Sequence, residues 1–207
     1  MLGVWDLDKG LEKNWIDRCK QGKYDAFEEL VKKYEKKIYN LAYRMTGSHE
    51  DANDLAQESF IRAFRSIGSY RGDAKFSTWL YRIATNVCLD ELRRRKKQRL
   101  ESLDEPVQTE DGEIEKDIAD WSHDPEESYE KKEIQKIVQK GIAKLPEEQK
   151  AVIILRDMQE RSYDEIAYIL NLSLGTVKSR INRGRKALKS YLKKDGELFL
   201  TKTRLME

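Results

Sequence analysis

Wherever this chain carries a pattern, its apolar side chains fall three and four residues apart, the period of a helix with one buried face. Leu30, Tyr34, Ile38, Leu41 and Met45 make the clearest such stripe. Asp25 with Glu28 three residues later resembles a capping box at its start, and Gly47 stops it. Ser48 with Asp51 opens a second helix that runs to about Ile67 and buries Ala56, Phe60, Phe64 and Ile67. A third, from about Ser77, carries Leu80, Ala84 and Val87 on its inner side. With only three prolines in 207 residues and 39% hydrophobic side chains, the chain is expected to be all-α, with one or two small domains and modest cores.

Charge divides the chain. Residues 93 to 99 hold six Lys or Arg and no acid, whereas 101 to 130 hold thirteen Asp or Glu against the single Lys116. Segment 100–124 has no sustained period and is expected to be a flexible acidic linker with Ile114, Ile118 and Trp121 as its anchors. It reads either as a solvated spacer or as an acidic strand lying in a partner's basic channel. Asp124, Pro125, Glu126 and Glu127 mark a helix start, and with it a second domain. Ile134, Ile137, Val138, Ile142 and Leu145 continue that helix, and Pro146 opens another through Val152, Ile153 and Leu155.

Ser162 with Glu165 is a capping box before a short helix containing Ile166, Ala167 and Leu170. Asn171 and Leu172 turn the chain, and Ser173 caps a longer helix that buries Val177, Ile181, Leu188 and Leu192. Two helices around so short a turn are a helix-turn-helix. Residues 172 to 194 hold eight Lys or Arg and no acid, and Thr176, Ser179, Asn182, Arg183 and Lys186 share the outer face, flanked by Lys178, Arg180 and Arg185. These side chains can pair with base edges and phosphates, so the face is expected to read a major groove.

The stretch from Tyr70 to Arg99 has a different chemistry. Trp79, Arg82, Asn86 and Arg93 line one face of its helix, and Tyr70, Arg71, Gly72 and Asp73 form a loop just before it. A flat ring, an amide and a basic run suit single-stranded nucleic acid, with a flipped base beside Trp79 and Asn86. The same rings also fit an ordinary core, with Arg93 to Arg99 as a solvated helix end. On the second helix, Asp54, Glu58 and Arg65 surround an outward Ile61, which is expected to be a protein-docking face or one isolated exposed side chain.

Three motifs occur together: DLAQESFIRAF at 54–64, YRGDAKFSTWLYRIATN at 70–86 and SYDEIAYILNLSLGTVKSRINRGRKAL at 162–188. They resemble the extracytoplasmic-function (ECF) sigma factors of the sigma-70 family, in the family's order over residues 25–194. The resemblance implies sigma region 2 at 24–99, the linker at 100–124 and sigma region 4 at 125–195, with a leader at 1–23 and a tail at 196–207 lying outside the matching core. It implies a subunit that binds bacterial core RNA polymerase and directs it to promoters. Asp54, Leu55, Gln57, Glu58 and Phe60 would dock on the polymerase, with Ile61 on the same face. Tyr70 and Asn86 would hold a base flipped from the −10 element, alongside Trp79, Arg82 and Arg93. Thr176, Lys178, Ser179, Arg180 and Arg183 would read the −35 element, with Asn182 and Lys186 on that face. The linker resembles the connector that threads the polymerase cleft, and a membrane-anchored anti-sigma factor is the family's usual regulator.

The competing expectation is an autonomous helix-turn-helix regulator that binds duplex DNA without polymerase. It would leave the aromatic stretch and the outer face of the second helix without a role. An enzyme is not expected, because His49 and His123 are the only histidines and neither sits in a metal-ligand pattern. No GxxxxGK[ST] loop is present, so strand opening would draw on binding energy, and no cofactor or metal is expected. A helical adaptor fails to explain the basic recognition helix. Cys19 and Cys88 fit buried free thiols, and no apolar run approaches the roughly 20 residues of a membrane helix, so the chain is expected to be cytoplasmic.

Overall fold

In the computed structural model, residues 4–102 and 129–204 are described, with side chains described for 10–98 and 134–193. Among them the secondary structure is entirely helical. The first unit comprises α1 (Val4–Lys20), α2 (Asp25–Thr46), α3 (His49–Ser66) with a 3-10 turn over Ile67–Ser69, and α4 (Phe76–Ser102). The second comprises α5 (Tyr129–Ala143), α6 (Glu147–Ile153) running into a π-helical turn over Ile154–Met158, α7 (Tyr163–Leu170) and α8 (Leu174–Arg204). The Asp124–Pro125 start and residues 103–124 of the expected linker lie outside the described residues.

The α2 stripe is buried as the spacing predicts: Leu30, Tyr34, Ile38, Leu41 and Met45 all face the core. Gly47 ends the helix at φ 77°, a left-handed conformation that glycine adopts without a Cβ clash. Ser48 caps α3 by accepting from the Asp51 amide at 3.3 Å. Asp25 does not cap α2. Its carboxylate pairs with Arg18 of α1, and Tyr24 stands at the cap without a side-chain bond. The expected leader is therefore largely a helix, with Ile16 and Cys19 buried against the first unit. Phe60 and Phe64, expected inside α3, are only half-buried; Ala52, Leu55, Ala56, Ser59 and Ala63 form the inner side instead.

The second unit follows its expected caps closely. Ser162 accepts from the Glu165 amide while Glu165 accepts from the Ser162 amide, and Asn171 turns the chain in a left-handed conformation. Gly184 lets α8 approach α6: a Cβ there would stand 2.8 Å from Ile153 Cγ1.

The two units pack together, and one continuous apolar core joins them. Polar side chains of the second unit cap the last turn of α2. The Gln139 amide donates to the Arg44 carbonyl at 3.2 Å and Lys150 to the Met45 carbonyl at 3.5 Å. Burial pushes the Lys150 ammonium's pKa down. These bonds satisfy carbonyls that the end of a helix leaves without intrahelical partners.

Gly184 and Gly10 predict opposite outcomes. Gly184→Ala should destabilise the protein by about 1–2 kcal/mol, overpacking against Ile153 outweighing the gain in helix propensity. Gly10→Ala, with no atom near the added Cβ, should stabilise it by up to ~1 kcal/mol. Urea-unfolding midpoints of the two variants check both signs.

Candidate nucleic-acid interface

Tyr70 follows the 3-10 turn and opens a short loop whose Gly72 has φ 85°. The Tyr70 hydroxyl donates to the Ala74 carbonyl at 2.8 Å, closing the loop onto the start of α4. Its ring centroid lies 5.4 Å from that of Trp79 and 5.6 Å from that of Phe76, which it meets edge-on. Phe76 is buried, whereas Tyr70 and Trp79 are half-exposed, so the cluster is a core anchor with an accessible rim. Asn86 and Arg93 are exposed further along α4, and Arg93 pairs with Asp90 at 3.5 Å. The structure thus joins Tyr70 and Trp79 directly and sets Asn86 almost two turns beyond Trp79.

Arg82 is engaged elsewhere. Its guanidinium lies over the Tyr168 ring of α7 at 5.1 Å. Beside it, Tyr81 is fully buried under the second unit, donating its hydroxyl to Gln159 Oε1 at 2.6 Å with the Arg161 guanidinium 4.4 Å from its ring. Burial pushes the Tyr81 hydroxyl's pKa up. Thr78 donates to Glu165 Oε1 at 3.0 Å. Sequence reasoning missed this seat for α7, whose one signal is the helical spacing of Thr78, Tyr81 and Thr85, all three buried.

On α3, Asp54, Gln57 and Ile61 are exposed, and Glu58 pairs with Arg62 at 2.7 Å. Leu55 lies in the core and supports this face from beneath, while Phe60 is half-buried. Tyr24, 70% exposed, reaches the ring of Phe64 at 5.4 Å and adds an aromatic near this helix that no sequence period indicated.

On α8, Val177, Ile181 and Gly184 face inward. Lys178, Asn182, Arg183 and Lys186 are exposed on the other side. Ser173 caps the helix through the Thr176 amide at 3.2 Å and shares a hydroxyl bond with Thr176 at 2.9 Å. Ser179 donates back to the Thr176 carbonyl at 3.0 Å. Arg180 is held by Glu148 at 2.7 Å and Arg185 by Asp157, so among the described residues the free cations of this face are Lys178, Arg183 and Lys186. A helix that presents amide, hydroxyl and basic groups opposite a rigid inner side can enter a major groove. No helix of the described residues is long and apolar enough to cross a membrane.

Comparison with known proteins agrees with this arrangement. Residues 30–98 match Sigma-70 region 2, and residues 135–188 match Sigma-70, region 4. The chain is 43% identical to the ECF RNA polymerase sigma factor SigW of Bacillus subtilis, over 87% of this chain and 96% of that protein. It is 37% identical to the RNA polymerase sigma-H factor of Pseudomonas aeruginosa, over 90% of this chain and 96% of that one. Its fold resembles that of the sigma factor RpoE, solved with the anti-sigma factor NepR from Bartonella quintana, with TM-score 0.63 and 22% identity over 81% of this chain and 96% of the other. CnrH, solved with the cytosolic domain of CnrY, gives TM-score 0.63 and 24% identity over 89% and 99%. With both sigma regions present in order and relatives matched over nearly their whole length, the chain belongs to the ECF RNA polymerase sigma factors of the sigma-70 family.

Proposed function

We propose that this sigma factor divides its work among three surfaces and is controlled by an anti-sigma factor. The α3 face of Asp54, Gln57, Glu58, Phe60 and Ile61, supported by Leu55, docks on core polymerase. Tyr70, Trp79 and Asn86 hold a base of the single-stranded −10 element, with Arg82 and Arg93 following its backbone. Thr176, Lys178, Ser179, Asn182, Arg183 and Lys186 read the duplex −35 element, and Arg180 reaches a phosphate once it leaves Glu148. The observation that carries this assignment is the outer side of α8, where Lys178, Asn182, Arg183 and Lys186 stand exposed opposite a closely packed interior.

Roughly 25 base pairs separate the two elements, which at 3.4 Å per pair is about 85 Å. Readers packed against each other cannot bridge that distance, so promoter engagement lifts α7 from α4 and frees Arg82 for DNA. The acidic linker then spans the gap within polymerase. The RpoE–NepR complex supports control by an anti-sigma factor, and the place of action is the cytoplasm.

Run-off transcription by core polymerase on a library of promoters with varied −35 and −10 sequences tests the assignment. Specific transcripts should require this chain. Arg183→Ala should relax preference at one −35 position by about 1–3 kcal/mol, and unchanged −35 dependence would remove the residue from the reader. Asn86→Ala should alter preference at one −10 base while polymerase binding persists; competition between single-base variants of the −10 element measures it. Ile61→Glu should weaken association with core polymerase without lowering the melting temperature, because Ile61 is 44% exposed; binding titration alongside thermal unfolding separates the two effects.

A further inference from the structure

We propose that Lys20, the last residue of α1, contacts a backbone phosphate of the single strand held at Tyr70 and Trp79, making α1 part of the −10 reader. This rests on the region-2 assignment above and extends it to a helix that precedes the matched segment 30–98.

The placement of Lys20 is fixed by packing. Ile16 and Cys19 are buried one turn and one residue before it, and α1 packs on the 3-10 turn that leads directly into Tyr70. Lys20 itself is exposed, and its Nζ lies 5.4 Å from the centroid of the Tyr70 ring. Several charged groups of α1 and its neighbours are committed elsewhere. Arg18 pairs with Asp25, while Glu12 accepts from the Tyr34 hydroxyl and pairs with Lys33 at 2.9 Å. Among the described residues Lys20 has the aromatic ring as its partner and no carboxylate in ion-pair reach.

An ammonium resting on a half-exposed ring is held weakly and occupies the surface on which a base stacks. An arriving base displaces it, and every stacked base brings a phosphate on either side. The lysine then exchanges the ring for that phosphate without losing its favourable electrostatics. Lysine is a flexible point charge and does not read base edges, so the contact adds affinity and position but no sequence preference.

The test uses holoenzyme assembled from core polymerase and the full-length chain. The probe is a fluorescent fork-junction DNA carrying a −10 element selected by run-off transcription, titrated over a salt series. Lys20→Ala should reduce the slope of log K against log salt by about 0.7, the value for one phosphate contact on a single strand. Base preferences at the −10 element should remain, and Lys20→Arg should restore the slope. Lys32→Ala, which removes the same charge from α2 where it pairs with Glu29 at 2.8 Å, should leave the slope unchanged. An unchanged slope for Lys20→Ala, with the Asn86→Ala effect intact, overturns the Lys20 contact alone. Identical base preferences for wild type and Asn86→Ala overturn the −10 assignment and Lys20 with it.

Discussion

Burial of α4 on two sides is the constraint from which the other features of this molecule follow. Leu80, Ala84, Val87 and Cys88 are enclosed with the core, and Thr78, Tyr81 and Thr85 are buried on the side that receives the second unit. Only a narrow strip remains open, including Asn86 and the rim of Trp79. Each near-complete burial of a large apolar side chain is worth about 1.5–3 kcal/mol, so the helix cannot rotate to present other residues. While the second unit is seated, that strip, with the neighbouring loop of Tyr70, is the accessible part of this helix beside the aromatic cluster.

Local chemistry made much of this legible from the sequence. The α2 stripe, the Gly47 stop, the Ser48 cap, the Ser162–Glu165 box and the Asn171 turn are all decided within a few residues, and the structure shows each of them. The inner and outer faces of α8 follow from helical period alone, including the exposure of Asn182 and Arg183. Asp25 shows where local reasoning ends. Its spacing to Glu28 fits a cap, but Arg18, seven residues away across a turn, supplies a stronger partner.

Long-range contacts were the illegible part. Nothing in the spacing of Tyr81 distinguishes a core ring from a base-stacking one, and its burial depends on Gln159 and Arg161, almost eighty residues later in the chain. Over residues 10–20, where the side chains of α1 are described, Ile16 and Cys19 are the buried ones, too few to make a period visible in the sequence. Leu55 illustrates the same limit on the α3 face: the resemblance places it among the proposed docking residues, whereas packing places it beneath them.

The capping of α2 by Gln139 and Lys150 has a thermodynamic consequence. When the units separate, the Arg44 and Met45 carbonyls, the Gln139 amide and the Lys150 ammonium exchange one another for water, and such exchanges change free energy by only about 0.5–1.5 kcal/mol per bond. The uncovering of Tyr81 and of the apolar core shared by the units is different in kind, because hydrating apolar surface raises the heat capacity. Separation is therefore governed in its temperature dependence by the apolar contact rather than by the hydrogen bonds. Cooling therefore weakens the apolar contact between the units more than it weakens the hydrogen bonds that accompany it.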